Sequence, residues 1–504
     1  MSTPPPSRDD DSLAQIDLRA ILDWLATPPA ARPEDELAPL HTHLTALRDA
    51  RTTAHRRHEV LDMLYVRAHA AISRLLPELI DVSLPLSRRT RHTVRGMQEL
   101  LLAIAEDYVD TLGDLDERLV KGLRRPPELT LWRTIDALAS HLLISSHVAA
   151  PFAAGIWLRL HRAYALACQD GLALSPVHGT DRTVQTAYLN ALLLACAQPA
   201  SFTSAEIELV IDYIARFGSR ATVLAETDDA EAEGVFWIDP ERDAPPTAVI
   251  RRPAPPGALR FSCERLAELA EEQLDAIERG VPADALDLPE EANTPMGHGV
   301  LRRLAHYWGH PGKRRFPRRR QNYRAVLCIG LQSMWKLFRD DATEAGELTS
   351  WMVTNESPDG YALMHVSGKT ARIAAGDVVA IRTETATTWQ VCIVRWALSE
   401  NPEHLELGLQ ILATKATPAI LAEHAGGDRS AETAQQQVLL LPRLPPVRPT
   451  ETLLAPSGTA HPGLGRMVLL LERDNLEVRE VHATRLDEQT GRVEILAIEP
   501  EKSV

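Results

Sequence analysis

The chain has 504 residues, of which 45% are hydrophobic, and a formal net charge of −15. This length predicts two to four domains, and the apolar share excludes a chain that is disordered over long distances. The acidic balance argues against general binding to nucleic acid or to anionic membranes, because long-range repulsion opposes both. Any anion site must therefore be local.

Cysteine usage and the N-terminus indicate the compartment. Five cysteines stand singly in apolar contexts, which is typical of buried free thiols in a reducing cytosol. They are Cys168, Cys196, Cys263, Cys328 and Cys392. The first residues, MSTPPPSRDDDSL, lack the basic and apolar regions of a signal peptide, and no long uninterrupted apolar run follows. We expect a cytoplasmic protein without a membrane span.

The first part of the chain is predicted to be helical. Residues 1–40 are rich in Pro and Asp and are expected to form a loose segment, apart from an amphipathic piece around Ile16 to Leu25. Over 41–310 apolar residues recur in steps of three and four, which predicts a helical domain built as a bundle or as an α-solenoid. Its later helices are predicted at 130–146, 152–169, 183–197, 204–217, 261–280 and 296–308.

Two-residue alternation replaces the helical period in two regions. Near 222–258, short apolar runs around a Pro-rich turn predict a β-hairpin insertion in the helical domain. From 323 onward, strand-length runs separated by turns predict a small antiparallel barrel or sandwich. The runs are YRAVLCIGL, SWMVTNES, YALMHV, GDVVAIRT, TWQVCIVRWAL and HLELGLQIL.

The C-terminal part contains a second cluster of predicted strands. Residues 415–434 are expected to form a helix followed by a polar linker. The runs after it predict a β-rich extension over 435–504, which either extends the first barrel or forms a second small barrel.

A basic segment joins the helical domain to the predicted barrel. Residues 313–324 read KRRFPRRRQNYR, which contains seven Lys or Arg residues and no acidic residue. One Arg side chain can bind two phosphate oxygens at once, and it can also stack on the face of a purine. Pro311, Phe316 and Pro317 limit helix formation, so that the segment is expected to be extended. It therefore suits a ligand that carries both phosphate groups and aromatic bases.

A polar loop follows at the end of the second predicted strand. Asn355 and Ser357 offer short hydrogen-bonding groups, and Gly360 permits a close approach that a side chain would block. Taken singly, the basic segment is better explained as a solvated linker and the loop as a plain β-turn. Their combination before and within a predicted barrel favours one binding constellation.

Together the two segments resemble the PilZ family. RRQNYR at 319–324 is similar to the RRxxxR arm of PilZ domains, and NESPDG at 355–360 is similar to their (D/N)xSxxG loop. Downstream, GDVV at 376–379 resembles the usual entry to a PilZ strand. VRW at 394–396 and GLQIL at 408–412 resemble the closing pair of strands. The resemblance covers about one fifth of the chain.

The resemblance implies a six-stranded antiparallel barrel that binds the bacterial second messenger cyclic di-GMP, a dianion with two guanine bases. It implies that Arg320 and Arg324 hold phosphate and stack on guanine, with Arg319 assisting. A second register of the arm adds Arg315 and Arg318 as further contacts, which would suit an intercalated pair of ligand molecules.

The resemblance also assigns roles in the loop, and it places the PilZ-like domain at 311–420. Asn355 and Ser357 would form hydrogen bonds with the guanine base, and Gly360 would give the base room. Asn at the first loop position replaces the commoner Asp of the family, and Pro358 stiffens the loop.

The chain is thus predicted to be a cyclic di-GMP receptor and not an enzyme. The 18 histidines show no metal-ligand spacing, and no nucleophile or Walker motif stands out. Ligand is expected to fold the arm onto the barrel and to reorient the helical domain, which would relay the signal to a protein partner in motility, exopolysaccharide or biofilm control.

A different class of function remains an alternative. The barrel could be a ligand-independent scaffold or adaptor that uses the basic arm to meet an acidic partner. RNA binding through the arm is a weaker interpretation, since the chain as a whole is acidic, and the sequence leaves a homo-oligomer open.

Overall fold

The computed structural model describes most of the chain. The described residues are 18–80, 82, 84–113, 127–177, 179–225, 233–312, 316–339, 348–367, 372–401, 404–423, 435–444, 449–459, 466–472 and 476–500. Within them, helices fill the N-terminal region and two antiparallel barrels follow, which confirms the predicted fold class. None of the described helices is long and apolar enough to cross a membrane.

The N-terminal region packs its helices around one apolar core. Residues 18–25 form α1, within the predicted amphipathic piece. The longer helices are α2 Leu37–Asp49, α3 Ala54–Leu75, α4 Arg88–Gly113, α5 Pro127–His147, α6 Ile156–Gln169, α7 Val184–Cys196, α8 Ser204–Phe217, α9 Glu264–Glu278 and α10 Pro295–Gly309. Their apolar stripes face inward, as the spacing in steps of three and four requires.

Local capping fixes where one of these helices begins. The side chain of Thr203 accepts a hydrogen bond from the backbone N–H of Glu206, and the carboxylate of Glu206 accepts one from the backbone N–H of Thr203 at 2.8 Å. This reciprocal capping box satisfies two otherwise unpaired donors at the start of α8.

The insertion in the helical region is larger than the predicted hairpin. A four-stranded sheet has the order β1-β4-β2-β3. The strands are β1 Thr222–Leu224, β2 Val235–Ile238, β3 Thr247–Ala248 and β4 Leu259–Ser262. The prediction of a helix from residue 261 was therefore wrong at its start. Phe261 is buried in β4 and stacks on Phe236 of β2, so that α9 begins only at Glu264.

The first barrel contains all six predicted strand runs. It closes in the order β10-β7-β6-β5-β8-β9. Its strands are β5 Arg319–Ile329, β6 Thr349–Ser357, β7 Gly360–Ser367, β8 Val378–Thr383, β9 Gln390–Asn401 and β10 His404–Ala413. A short helix that the sequence pattern did not predict, α11 Leu331–Phe338, follows β5. The acidic stretch after it, at 340–347, lies outside the described residues.

The C-terminal strands form a barrel of their own, which decides between the two predicted alternatives. It closes in the order β11-β12-β13-β16-β15-β14. Its strands are β11 Thr417–Glu423, β12 Gln435–Leu441, β13 Glu451–Pro456, β14 Arg466–Glu472, β15 Leu476–Gln489 and β16 Val493–Pro500. The helix predicted from 415 was wrong, because Thr417–Glu423 is a strand that pairs with β12 on one side and β14 on the other.

The first barrel is buried on two sides. In β8, Val379 and Ile381 belong to an apolar core that continues into the helical region. The alternate residues Val378 and Ala380 belong to a second apolar cluster that includes Leu439 of β12. Because successive side chains of a strand point to opposite faces, the unbroken apolar run VVAI indicates a strand that is covered on both faces.

Helix α11 fills the space between the two barrels. Met334 is fully buried in the second apolar cluster, to which both barrels contribute. The indole N–H of Trp335 donates a hydrogen bond of 2.9 Å to the carbonyl oxygen of Ala419 in β11. The second barrel is therefore packed onto the first and is not a loosely attached extension.

The cysteines depart from the prediction at one position. Cys196, Cys263, Cys328 and Cys392 are buried free thiols, as expected. Cys168 is exposed instead. Its neighbour Ala167 faces the core, so that Cys168 lies on the outer side of α6.

Truncating Met334 tests the packing between the barrels. We expect Met334→Ala to lower the free energy of unfolding by about 2–5 kcal/mol, because it removes buried apolar atoms and leaves a cavity. Gln332→Ala, on the exposed side of the same helix, should change it by less than about 0.5 kcal/mol. Urea denaturation followed by tryptophan fluorescence measures both values, and equal values for the two variants would contradict the assigned packing.

Candidate ligand-binding site

The basic arm enters the first barrel as part of a strand. Its RRQNYR portion lies in β5 and pairs with β6, so that Arg319 stands opposite Glu356 and Arg320 opposite Asn355. This pairing brings the predicted arm and the predicted loop side by side. Residues 313–315, which include the candidate Arg315, lie outside the described residues.

A bulge in β5 separates Arg320 from Arg324. The pairing of β5 with β6 shifts by one residue between Arg320 and Tyr323. Glu356 holds this bulge, because it accepts hydrogen bonds from the Tyr323 hydroxyl at 2.8 Å and from the Gln321 amide at 3.3 Å. The extra residue interrupts the regular alternation of side chains between Arg320 and Arg324 and re-aims them relative to each other.

The predicted loop is the tight turn between β6 and β7. Ser357 pairs with Gly360 across the turn. The Ser357 hydroxyl lies 2.6 Å from the Asp359 carboxylate, to which it donates, and this leaves its lone pairs free to accept a hydrogen bond. A Cβ on Gly360 would overlap the carbonyl oxygen of Leu409 in β10, so that the packing of the strands itself requires glycine here.

A cavity of about 430 Å³ opens beside this turn, between the helical region and the first barrel. This volume lies in the usual range for small-molecule sites. The barrel side is formed by the β6–β7 turn with β9 and β10, and the helical side by the end of α10 and a short 3-10 helix. The lining residues are Gln198, Ala200, Ser201, Tyr307, Arg318, Ser357, Asp359, Gly360, Arg395, Trp396, Gly408, Leu409 and Gln410.

Arg395 is held in this cavity by the second barrel. Its guanidinium group forms a bidentate ion pair with Glu488 of β15, in which Nη2 lies 2.8 Å from Oε2. Its Nε donates to the amide oxygen of Gln410 at 2.6 Å. The side chain of Arg395 remains 37% exposed, although its guanidinium group is already bonded to Glu488 and Gln410.

Two aromatic side chains complete the cavity. Tyr307 comes from α10 and is half-buried, and Trp396 follows Arg395 in β9. The indole of Trp396 lies across Gly408 of β10, where a Cβ would overlap the ring. Aromatic faces next to guanidinium groups are suited to bases that carry phosphate.

Tyrosines under the arm and turn remain neutral. Burial raises the pKa of Tyr361 to about 12, and its hydroxyl donates to the Gln390 amide oxygen at 2.8 Å. Burial and the neighbouring Glu356 carboxylate raise the pKa of Tyr323 as well. Both tyrosines thus act as fixed hydrogen-bond donors that support the strands below the cavity.

Comparison with known proteins matches the first barrel to a known domain family. Residues 335–418 match the family model of the middle PilZ domain of the cyclic-di-GMP receptor FimW. This confirms the predicted resemblance: the first barrel is a PilZ-type domain. The matched span begins after the basic arm, so that the arm's own residues rest on the sequence motif and on the geometry.

The similarity extends beyond the PilZ barrel. Residues 19–228 match the model of the N-terminal domain of the same receptor. The chain is 21% identical over 534 aligned positions to the cyclic-di-GMP receptor FimW of Pseudomonas aeruginosa strain PAO1, and the alignment covers 90% of this chain and 86% of that protein.

The structure distributes the predicted site residues over two surfaces. Arg318, Ser357 and Gly360 line the cavity of the PilZ barrel. Arg319, Arg320 and Arg324 are exposed on β5 and are not in the lining, although Arg319 directly follows the lining residue Arg318. In the part of the chain that the structure describes, these three side chains have no acidic partner. Asn355 is half-buried opposite Arg320.

Several lining residues were not among the predicted contacts. Asp359 stands within the predicted loop. Arg395 and Trp396 stand within VRW, which was noted only for its resemblance to a PilZ strand. The sequence motifs thus contained all three residues without marking them as contacts. Tyr307 and Gln198 were not predicted as contacts, because only the packing of the helical region on the PilZ barrel brings both to the cavity. Among the described residues, no group of three or more His, Cys, Asp or Glu side chains could hold a metal ion.

The role of Gly360 can be tested apart from any ligand. We expect Gly360→Ala to lower the free energy of unfolding by about 1–3 kcal/mol, because the added methyl group displaces β10. Gly312→Ala, where a Cβ would meet nothing within 4 Å, serves as the control. Urea denaturation compares the two variants. If Gly360→Ala were as stable as the control, strand packing would not explain the glycine.

Proposed function

We propose that the protein is a receptor for cyclic di-GMP, acts in the cytoplasm and has no catalytic activity of its own. The observation that carries the proposal is the cavity at the turn of the PilZ barrel, where Arg318 and Arg395 meet Ser357 and two aromatic rings. The Pseudomonas aeruginosa relative is named as a cyclic-di-GMP receptor, which supports the same ligand.

The phosphate groups of the ligand would bind to the arginines. Arg318 and Arg395 lie in the cavity, and Arg319, Arg320 and Arg324 present exposed guanidinium groups beside it. Charge-assisted hydrogen bonds to phosphate are about twice as strong as neutral ones. We propose that Arg320 and Arg324 close over the ligand from the edge of the cavity.

The guanine bases would bind at the turn. The carboxylate of Asp359 can accept hydrogen bonds from the N–H groups on the guanine edge, and the Ser357 hydroxyl can accept a further one. Asn355 contributes an amide at the same end of β6. Tyr307 and Trp396 offer ring faces on which a base can stack.

The site also suggests a route for signal relay. The cavity lies between the helical region and the PilZ barrel, and the arm directly follows α10, which carries Tyr307. We propose three domains, predicted at 41–310, 311–420 and 435–504, with β11 moved from the second to the third because it closes the C-terminal barrel, and we propose that ligand draws the first two together. A ligand that contacts both domains shifts their arrangement by its difference in affinity for the two states. The helical domain would then change its contact with a protein partner in motility, exopolysaccharide or biofilm control.

Removal of two arm arginines tests ligand binding. We expect wild type to bind cyclic di-GMP in isothermal titration calorimetry. Arg320→Ala/Arg324→Ala should lose about 3 kcal/mol or more of binding free energy, a weakening of about a hundredfold, since two charge-assisted contacts disappear.

A matched double variant controls for lost charge. Arg265→Ala/Arg279→Ala removes two exposed arginines at the ends of α9 and should bind as wild type does. No heat with wild type at ligand up to about 100 µM, well above the affinity expected of a specific receptor, would contradict the receptor function and favour the ligand-independent scaffold. Unchanged affinity in the arm variant would instead contradict the roles given to Arg320 and Arg324.

Glu488 tests whether Arg395 binds phosphate. In the present arrangement the Glu488 carboxylate occupies the guanidinium fork that a phosphate would use. We expect Glu488→Gln to bind cyclic di-GMP about fivefold more tightly, because it removes a negative charge next to a dianionic ligand. Glu480→Gln, at an exposed position of the same strand, should leave the affinity unchanged. Weaker binding by Glu488→Gln in calorimetry would show that the carboxylate positions Arg395 for the ligand instead of competing with it.

A further inference from the structure

A second and larger concavity lies in the helical region, at the start of α4. It has a volume of about 990 Å³. Its walls come from the first turns of α4, from the segment after α5 and from the end of β9. We name it the basic groove, and its lining residues are Leu86, Arg88, Arg89, Arg91, His92, Val94, Arg95, Gln98, Val148, Ala150 and Ser399.

The groove carries an excess of positive charge in an acidic chain. Arg89 forms an ion pair with Glu34, and Arg95 pairs with Glu99 at 2.7 Å. Across the described ranges, Arg88 and Arg91 have no acidic partner. The Nε atom of Arg91 is buried and has no hydrogen-bond partner there. Arg88 and Arg91 thus leave the groove with uncompensated positive charge, which attracts an anionic partner.

The floor of the groove restricts the kind of anion. Ala150, with the exposed edges of Leu86 and Val94 and the aliphatic stems of the arginines, provides apolar surface in the groove. Among the described lining residues there is no Trp, Tyr or Phe, so that His92 and the guanidinium planes are the stacking surfaces for a nucleic-acid base. The formal net charge of −15 also opposes a polyanion such as RNA. Aliphatic surface alternating with guanidinium groups instead matches a peptide in which acidic and apolar side chains alternate.

We propose that the basic groove is a docking site for an acidic, partly apolar segment of a partner protein. Carboxylates of that segment bind to Arg88 and Arg91, and its apolar side chains cover the aliphatic floor.

The groove and the ligand cavity share one strand of the PilZ barrel. Trp396 lines the cavity, and Ser399, three residues later in β9, lines the groove, about 10 Å farther along the strand. The backbone N–H of Ser399 donates to the carbonyl oxygen of Ala149 at 2.8 Å, which fixes β9 to the helical region at this point. The groove is thus placed to carry the receptor's signal to a partner protein. This role rests on the proposed function, but the docking of an acidic segment does not.

Fluorescence anisotropy with a labelled peptide of alternating Glu and Leu tests the proposal on the full chain. We expect wild type to bind this peptide and not the matched peptide in which Gln replaces Glu. Arg88→Glu/Arg91→Glu should weaken binding by at least about tenfold, since two attractive contacts become repulsive. Arg56→Glu/Arg162→Glu makes the same change of charge at exposed sites outside the groove and should bind the peptide as wild type does.

The outcomes separate the groove from the ligand site. The proposal is overturned if wild type does not distinguish the two peptides, if both double variants lose the same affinity, or if the groove binds single-stranded RNA in preference to the acidic peptide. An unchanged thermal midpoint shows that Arg88→Glu/Arg91→Glu is folded. Peptide binding that depends on Arg88 and Arg91 supports the docking site even if calorimetry shows no cyclic di-GMP binding, a result that would contradict the receptor function alone.

Discussion

The PilZ barrel is packed on both faces, and the remaining architecture depends on this constraint. One continuous apolar core joins its interior to the helical region, and a second cluster joins its outer face to the C-terminal barrel. In β9 the same rule operates as in β8, since Cys392 and Val394 belong to the first core and Val391 and Ile393 to the second. A barrel covered in this way cannot shift without disturbing both neighbours, because protein interiors are close-packed.

This packing gives the candidate site three sources of side chains. The PilZ barrel supplies the turn at Ser357, the helical region supplies Tyr307, and the C-terminal barrel supplies Glu488, which fixes Arg395. A ligand bound in this cavity would contact two domains and would meet the ion pair between Arg395 and Glu488 of the third. Such a ligand would favour the arrangement of the domains in which all of these contacts are made.

Part of this arrangement could be predicted from the sequence, and the reasons are local. The six strands of the PilZ barrel follow from alternation and turn residues, and the RRxxxR and NxSxxG motifs locate the turn and the arm. The strand Thr417–Glu423 could not be identified in this way, because TPAILAE consists largely of residues that also favour helices. Its pairing with β12 and β14 overrides that preference.

Other parts depend on contacts that are distant in sequence. Arg395 and Glu488 are 93 residues apart, and no spacing rule connects them. The basic groove likewise combines the start of α4 with the end of β9, which only the packed fold brings together. The sequence thus predicted the turn that borders the cavity but not which neighbouring domains complete it.

Hydrogen–deuterium exchange with and without cyclic di-GMP tests the central claim most directly. Ligand that bridges the two domains should slow exchange in three separate segments, namely the arm at 316–324, the turn at 355–361 and the end of α10 around Tyr307. Protection in the PilZ barrel without any at α10 would contradict a ligand held between the domains. No protection in any of the three segments would contradict the receptor function itself.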